Sequence, residues 1–158
     1  MKNGKELTRI ASFSVNHDFI TPGMYVSRID GDITTYDLRC RCPNCGSYMD
    51  NLTMHSVEHL FATYVRNSEI GERVIYFGPM GCQTGFYLLV RNACDGECYD
   101  VVLSVLRSII AHEGDMPGAA REECGNYKNL DLSAAKCECT NYLEALLKKG
   151  PVFEYPKK

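Results

Sequence analysis

Met24-Tyr25-Val26-Ser27-Arg28-Ile29-Asp30-Gly31-Asp32-Ile33-Thr34-Thr35-Tyr36-Asp37-Leu38-Arg39-Cys40 reads as two strands around a tight turn. Residues 24–30 and 33–40 are rich in Tyr, Val, Ile and Thr and partly alternate apolar with polar, as a strand with one buried face requires. Asp30-Gly31-Asp32 is a turn signal, so the strands should pair as an antiparallel hairpin. A second pair follows. Arg73 to Phe77 and Phe86 to Val90 flank Gly78-Pro79-Met80-Gly81-Cys82-Gln83-Thr84-Gly85, a glycine-framed turn that holds a cysteine.

Helical periodicity is confined to three stretches. Asp50 or Asn51 can cap a helix that carries Leu52, Leu60, Phe61, Ala62 and Val65 on more than one side, which predicts a buried helix. Val101, Val102, Val105, Leu106, Ile109 and Ile110 mark a second helix over residues 97–112, with Gly114 as a stop. Residues 132–148 form a third, with Ala135, Tyr142, Leu143, Leu146 and Leu147, closed by Gly150-Pro151. Strands in neighbouring pairs with few helices argue for the α+β class, a mostly antiparallel sheet layered with helices. The 158 residues fit one compact domain, residues 1–158. No G-x-G-x-x-G or P-loop supports a doubly wound nucleotide fold.

A net charge of -3 and scattered Lys and Arg give no basic stripe, which disfavours nucleic acid and anionic membranes as partners. Met1-Lys2-Asn3-Gly4-Lys5-Glu6-Leu7 has no apolar core of a leader, and no stretch is apolar enough to span a bilayer, so a cytoplasmic location is expected. Lys148-Lys149 and Lys157-Lys158 read as solvated ends. Nine cysteines, an odd number, then point to reduced thiols and metal ligation rather than a disulfide framework.

His55-Ser56-Val57-Glu58-His59 lies on the first predicted helix. Two imidazoles four residues apart share a helix face, and the carboxylate between them sits at its edge. The bland reading is a pair of polar residues satisfied inside a core; the sharper one is a metal site with its own proton-transfer group. A catalytic zinc or iron site needs three protein ligands and an open position, so a further ligand must come from elsewhere. Cys124, in Glu122-Glu123-Cys124-Gly125-Asn126, is one of several thiols that could serve, and Gly125 would let the backbone come close.

Cys40, Cys42 and Cys45 make a C-x-C-x-x-C cluster that would suit a structural zinc or an iron-sulfur centre if a fourth ligand appeared. Cys94, Cys98, Cys137 and Cys139 match no zinc module and read as free thiols; Cys137 and Cys139 cannot share a helix face. Cys82 sits where a rigid sheet would present an active residue, although a lone cysteine is also a common small hydrophobe. His17 and His112 are weaker candidates; a surface role suffices for His112 at a helix end.

His55-Ser56-Val57-Glu58-His59-Leu60, Pro79-Met80-Gly81-Cys82-Gln83-Thr84-Gly85 and Cys124-Gly125, in this order and spacing, resemble the S-ribosylhomocysteine lyase (LuxS) family. Ser12-Phe13-Ser14-Val15-Asn16-His17, Asp37-Leu38-Arg39 and Pro117 extend the resemblance over nearly the whole chain. It implies that His55, His59 and Cys124 hold one divalent metal, iron(II) or alternatively zinc or cobalt, with water in the fourth position. Glu58 and Cys82 would be the paired proton-transfer residues, and Ser12, His17 and Arg39 would bind or orient substrate. Family members are homodimers with sites at the interface. The implied reaction splits S-ribosylhomocysteine into homocysteine and 4,5-dihydroxypentane-2,3-dione, the autoinducer-2 precursor, by carbonyl migration through enediolates and β-elimination. Ser56 stands where Thr is common and Tyr76 where many members carry an acid, and the Cys40-Cys42-Cys45 cluster lies outside the family signature.

Two other functions compete. His-x-x-Glu-His is also the inverted zinc-peptidase motif, which would require a third, carboxylate ligand and leave Cys82 idle. A non-catalytic metal-stabilised domain would close the site with four protein ligands.

Overall fold

Gly31 and Asp32 close the first hairpin, and the backbone shows why glycine stands there. In the computed structural model Gly31 has φ +61° and Asp32 is not in the positive-φ region. A positive φ at the first of two turn positions is the requirement of a type II′ connection, whose twist matches that of the strands it joins. The structure describes residues 6–157; residues 1–5, read above for a leader, and Lys158 of the terminal lysine pair lie outside the described residues.

Strands β1 (Gly23–Asp30) and β2 (Ile33–Arg39) pair from Asp30 opposite Ile33 to Gly23 opposite Arg39, with an irregularity between Val26 and Arg28. Strands β3 (Val74–Pro79) and β4 (Gly85–Arg91) form the second hairpin, and β4 also pairs with β2. The resulting order is β1-β2-β4-β3, antiparallel throughout. The α+β class expected from the sequence is the one observed. Each expected strand is present, shifted by one or two residues at its ends.

Strand periodicity divides the sheet into two unlike faces. Tyr36 opposite Leu88 and Leu38 opposite Phe86 point into the core. Helices α1 (Asn51–Arg66), α2 (Asp95–Ala111) and α3 (Leu132–Lys149) supply its other half. Phe77 bridges the layers, stacked on Phe61 of α1 at 4.2 Å and on Phe86 at 5.1 Å between ring centroids. On the opposite face β2 buries Asp37 and Arg39, neighbours on that side by the same alternation. The C-terminal tail covers part of this face: Val26 N–H donates to Phe153 O at 2.8 Å, and Tyr155 stacks on Tyr25 at 4.9 Å. Ile75 and Tyr76 remain 39% and 50% exposed there.

Asp50 caps α1 by accepting the Thr53 N–H at 2.8 Å. The helix buries Met54, Ser56, Val57, Leu60, Phe61 and Val65, an i, i+3, i+4 stripe, whereas Leu52 and Ala62 are only half-buried. It is therefore buried along one stripe rather than all round. That leaves His55, Glu58 and His59 together on a half-exposed flank. Ser56 donates to Leu52 O at 2.7 Å and accepts from Asp131 N–H at 2.8 Å, tying α1 to the cap of α3. Cys137 is exposed and Cys139 buried, on different faces of α3 as expected. No helix among the described residues is long and apolar enough to cross a membrane.

Candidate functional site

Both histidines of α1 are aimed by backbone carbonyls. His55 Nδ1 lies 2.8 Å from Asn129 O, and His59 Nδ1 lies 2.8 Å from Pro117 O. A carbonyl can only accept, so each ring turns a protonated Nδ1 to its carbonyl, which leaves Nε2 as the nitrogen placed to bind a metal. Between α2 and α3 the loop brings Cys124 Sγ to 3.4 Å from His55 Nε2, and Asn126 N–H donates to that sulfur at 3.4 Å. Ligand atoms of His55, His59 and Cys124 all lie within 4.8 Å of one another, so the three can hold a metal ion. Two nitrogens and one sulfur suit zinc, iron(II) or cobalt, and three protein ligands leave a position open. Glu58, half-exposed on the same helix, shares with His55 a hollow of about 240 Å³ bordered by Asn51, Asn126 and Asn129.

Gly125 does not provide the close approach read from the sequence, since a Cβ there would meet nothing within 4 Å. Gly118 provides it. Its φ is +69°, and a Cβ would fall 2.8 Å from His59 Nδ1. The Pro117 carbonyl can reach His59 only because its neighbour has no side chain. Gly118→Ala is expected to turn the His59 ring and weaken metal binding about ten- to hundredfold, the range typical of disturbed outer-shell partners. Competition with a chromophoric chelator measures this, and an unchanged affinity would contradict it.

A second group gathers at the β3–β4 turn. Met80 N–H donates to Gly85 O at 2.9 Å and Gln83 takes φ +64°, leaving Cys82 exposed at the tip. Buried Arg39 extends Nη1 toward it, 3.8 Å from Cys82 Sγ and 2.8 Å from Thr84 Oγ1. Cys82 Sγ and Thr84 Oγ1 are 3.1 Å apart. Asp37 holds Arg39 from behind with both carboxylate oxygens, and Tyr155 O–H donates to that carboxylate at 2.7 Å. Burial works against the Arg39 charge, but the Asp37 hydrogen bonds and charge outweigh it and raise the guanidinium pKa further. A fixed positive charge therefore faces the Cys82 sulfur. His17, with Nδ1 2.9 Å from Val15 O, shares a hollow of about 330 Å³ with Arg39, Cys82, Thr84 and Tyr48.

The structure thus assembles His55, His59 and Cys124 with Glu58 beside them, and separately Cys82, Arg39 and His17. Ser12, half-buried in a 3-10 turn, lines neither hollow. Asp37, Thr84 and Tyr155 join the site beyond the residues expected from the sequence; two-residue spacing from Arg39 marks Asp37, but nothing local marks Tyr155. His112 is less bland than expected, with Nδ1 2.8 Å from Tyr64 Oη and Nε2 2.9 Å from Asp115 O. Of the thiols expected to be reduced, Cys42 and Cys45 are instead paired as a disulfide with Cα atoms 5.7 Å apart, and the other seven cysteines are free. The Pro43-Asn44 turn, with Asn44 at φ +58°, brings them together.

An antiparallel α+β sheet that gathers two histidines and one cysteine in this way defines an α+β protein with a candidate site for one metal ion. More narrowly, the chain belongs to the S-ribosylhomocysteinase (LuxS) family, whose model matches residues 10–152. It is 40% identical over 146 residues to the S-ribosylhomocysteine lyase of Borreliella afzelii, covering 89% of this chain and 93% of that protein. Identity to the Clostridium beijerinckii S-ribosylhomocysteine lyase is 43% over 149 residues, with 89% and 92% covered. The Finegoldia magna enzyme of that name is 42% identical over 145 residues, with the same coverage.

Proposed function

We propose that this chain is a single-domain carbon-sulfur lyase over residues 1–158 that cleaves S-ribosylhomocysteine to homocysteine and 4,5-dihydroxypentane-2,3-dione. The carrying observation is the convergence of His55, His59 and Cys124 with Glu58 on the same helix flank, in a chain of this family. His55 and His59 would hold the cation through Nε2 and Cys124 through Sγ, with iron(II) favoured and zinc or cobalt able to replace it. When bound, the cation would supply Lewis acidity that steadies negative charge developing on the sugar oxygens.

The chain's own groups carry the protons. Cys82, as a thiolate facing Arg39, takes a proton from a carbon beside the sugar carbonyl and returns it to the neighbouring carbon, which moves the carbonyl along the chain. Glu58 passes protons between the sugar oxygens as each enediol forms and collapses. Once the carbonyl stands one carbon from the C–H that flanks the thioether carbon, loss of that proton expels the homocysteine sulfur. Arg39, His17 and Ser12 would orient the substrate.

Within one chain Cys82 and Glu58 line different hollows that share no residue. A homodimer that sets the Cys82 hollow of one protomer against the metal site of the other would complete the site, and exposed Ile75 and Tyr76 on the open sheet face offer an apolar surface for it. The protein would work in the cytoplasm on a small molecule, and its dione would serve as the autoinducer-2 precursor. A peptidase is the poorer reading, because the third candidate ligand is the Cys124 thiolate rather than a carboxylate. A closed structural site fits less well too, since three ligands rather than four converge among the described residues.

Proton NMR of the reaction run in D2O tests the chemistry. Both products should appear in equal amounts, with deuterium at least on the carbon that carried the thioether, where the enol left by elimination takes up a new proton. Thiol release without any carbon-bound deuterium would point to direct displacement and contradict the enediol route.

A further inference from the structure

Neither sulfur of Cys42-Pro43-Asn44-Cys45 lines the hollows of the site described above, yet the backbone of this loop brings the two cysteines together. Asn44 at φ +58° and Gly46 at φ +80° curl the loop so that Cys42 and Cys45 are joined with Cα atoms 5.7 Å apart, inside the normal range for a disulfide. Cys42 is half-buried and Cys45 exposed. They border a hollow of about 350 Å³ with Arg41, Ser47, Glu138 and Asn141, large enough for a small thiol.

The cluster does not make a metal site. Cys40 borders the same hollow, but its Sγ donates to Leu38 O at 3.6 Å and burial pushes its thiol pKa well up. Glu138 is engaged on both oxygens by Arg41, at 3.1 Å and 2.7 Å. Three thiols with no free fourth ligand beside them do not close a structural zinc site.

The loop is also tied to the Cys82 turn. Cys40 and Arg41 N–H groups both donate to Thr84 O at 2.9 Å, and Met49 N–H donates to Gln83 O at 2.9 Å. Pro43, Asn44 and Tyr48 form one wall of the hollow that holds Cys82. A change in the loop between these anchors therefore changes the surroundings of the Cys82 sulfur.

We propose that Cys42 and Cys45 form a reversible thiol–disulfide site that exchanges with low-molecular-weight thiols and disulfides and sets the wall of the Cys82 cleft. Oxidation begins when the exposed Cys45 thiolate attacks one sulfur of an external disulfide, expelling one thiol and leaving a mixed disulfide. The Cys42 thiolate then attacks Cys45 Sγ and expels the second thiol. Two electrons pass to the external disulfide, and the two cysteine protons end on the two thiols released. Reduction is the reverse. In a reducing compartment such a bond is transient, as suits a sensor rather than a structural staple. The exchange site stands on this geometry alone; its effect on turnover rests on the lyase reading.

The test equilibrates the metal-loaded protein in a series of glutathione redox buffers, quenches it by alkylation and maps the peptides. The expected result is a Cys42–Cys45 link, lighter by two hydrogens, that forms and disappears reversibly across the series. The rate at which iodoacetamide labels Cys82 should differ by about threefold or more between the two states. That difference should vanish in the Cys42→Ser/Cys45→Ser double variant. None of these readouts needs lyase activity, so a protein that fails to cleave S-ribosylhomocysteine leaves the redox test intact. Absence of the link across the whole series, or a Cys82 labelling rate indifferent to it, would overturn the proposal. A zinc equivalent held by the reduced protein and lost in the double variant would overturn it in favour of a metal site.

Discussion

Glu58→Gln is expected to lower homocysteine release by about a hundred- to ten-thousandfold while metal content stays at the wild-type level. Gln keeps the size of the side chain and can still hydrogen-bond, but it cannot accept and return a proton. Glu58 is half-exposed on the flank of α1, outside the three converging ligands, so its loss should not release the metal. Cys82→Ala should fall as far, because the positive charge of Arg39 is then left facing a methyl group with no base to use it. The two variants also test how the site is shared. If one protomer supplies Cys82 and its partner Glu58, a mixed dimer of the two inactive variants carries one doubly defective site and one intact site. Mixing should then restore part of the activity; variants that stay inactive after subunit exchange would place both groups in one protomer. Rates near wild type in either variant would refute the assigned roles.

Cys124→Ala should have the other large effect, loss of metal and activity together. The Cys124 loop lies outside the strands and helices, and its half-buried side chain is not part of the continuous core, so the fold should survive the change. What disappears is the thiolate, the only charged donor among the three ligands. Two imidazoles on one helix would hold a divalent metal weakly, and affinity should drop by more than about a hundredfold, beyond the cost of disturbing an outer-shell partner. Metal analysis after dialysis, with circular dichroism as the check on folding, separates this from a global effect. A full equivalent of tightly held metal in the variant would mean that another group is the third ligand.

The two hairpins were legible because their signals are local. Gly31 in a two-residue turn, alternating β-branched and aromatic residues, and the glycines around Cys82 each act within a few positions. The helix flank bearing His55, Glu58 and His59 was legible for the same reason, since a spacing of four residues fixes a shared face. Contacts made across the fold were not. Gly118 matters because a distant loop passes His59 at van der Waals range, and only the assembled structure shows the Cβ clash. Tyr155 reaches Asp37 because the tail crosses the open sheet face, joining residues 118 positions apart in sequence. Composition and spacing alone leave Cys124 among several equivalent thiols; the family resemblance singles it out, and the loop between α2 and α3 turns it to 3.4 Å from His55 Nε2. The separation of Cys82 from Glu58 into different hollows was invisible for the same reason, as motif order carries no information about which surfaces meet in a dimer.

Homocysteine release from S-ribosylhomocysteine, followed anaerobically with a thiol reagent, tests the central claim most directly when run on one protein sample in three states. Iron-loaded protein should release thiol, the same protein stripped by a chelator should not, and restoring iron(II) should bring the rate back. A folded, metal-replete protein that releases no homocysteine, or stripped protein that releases it undiminished, would contradict the assignment of this chain as a metal-dependent lyase.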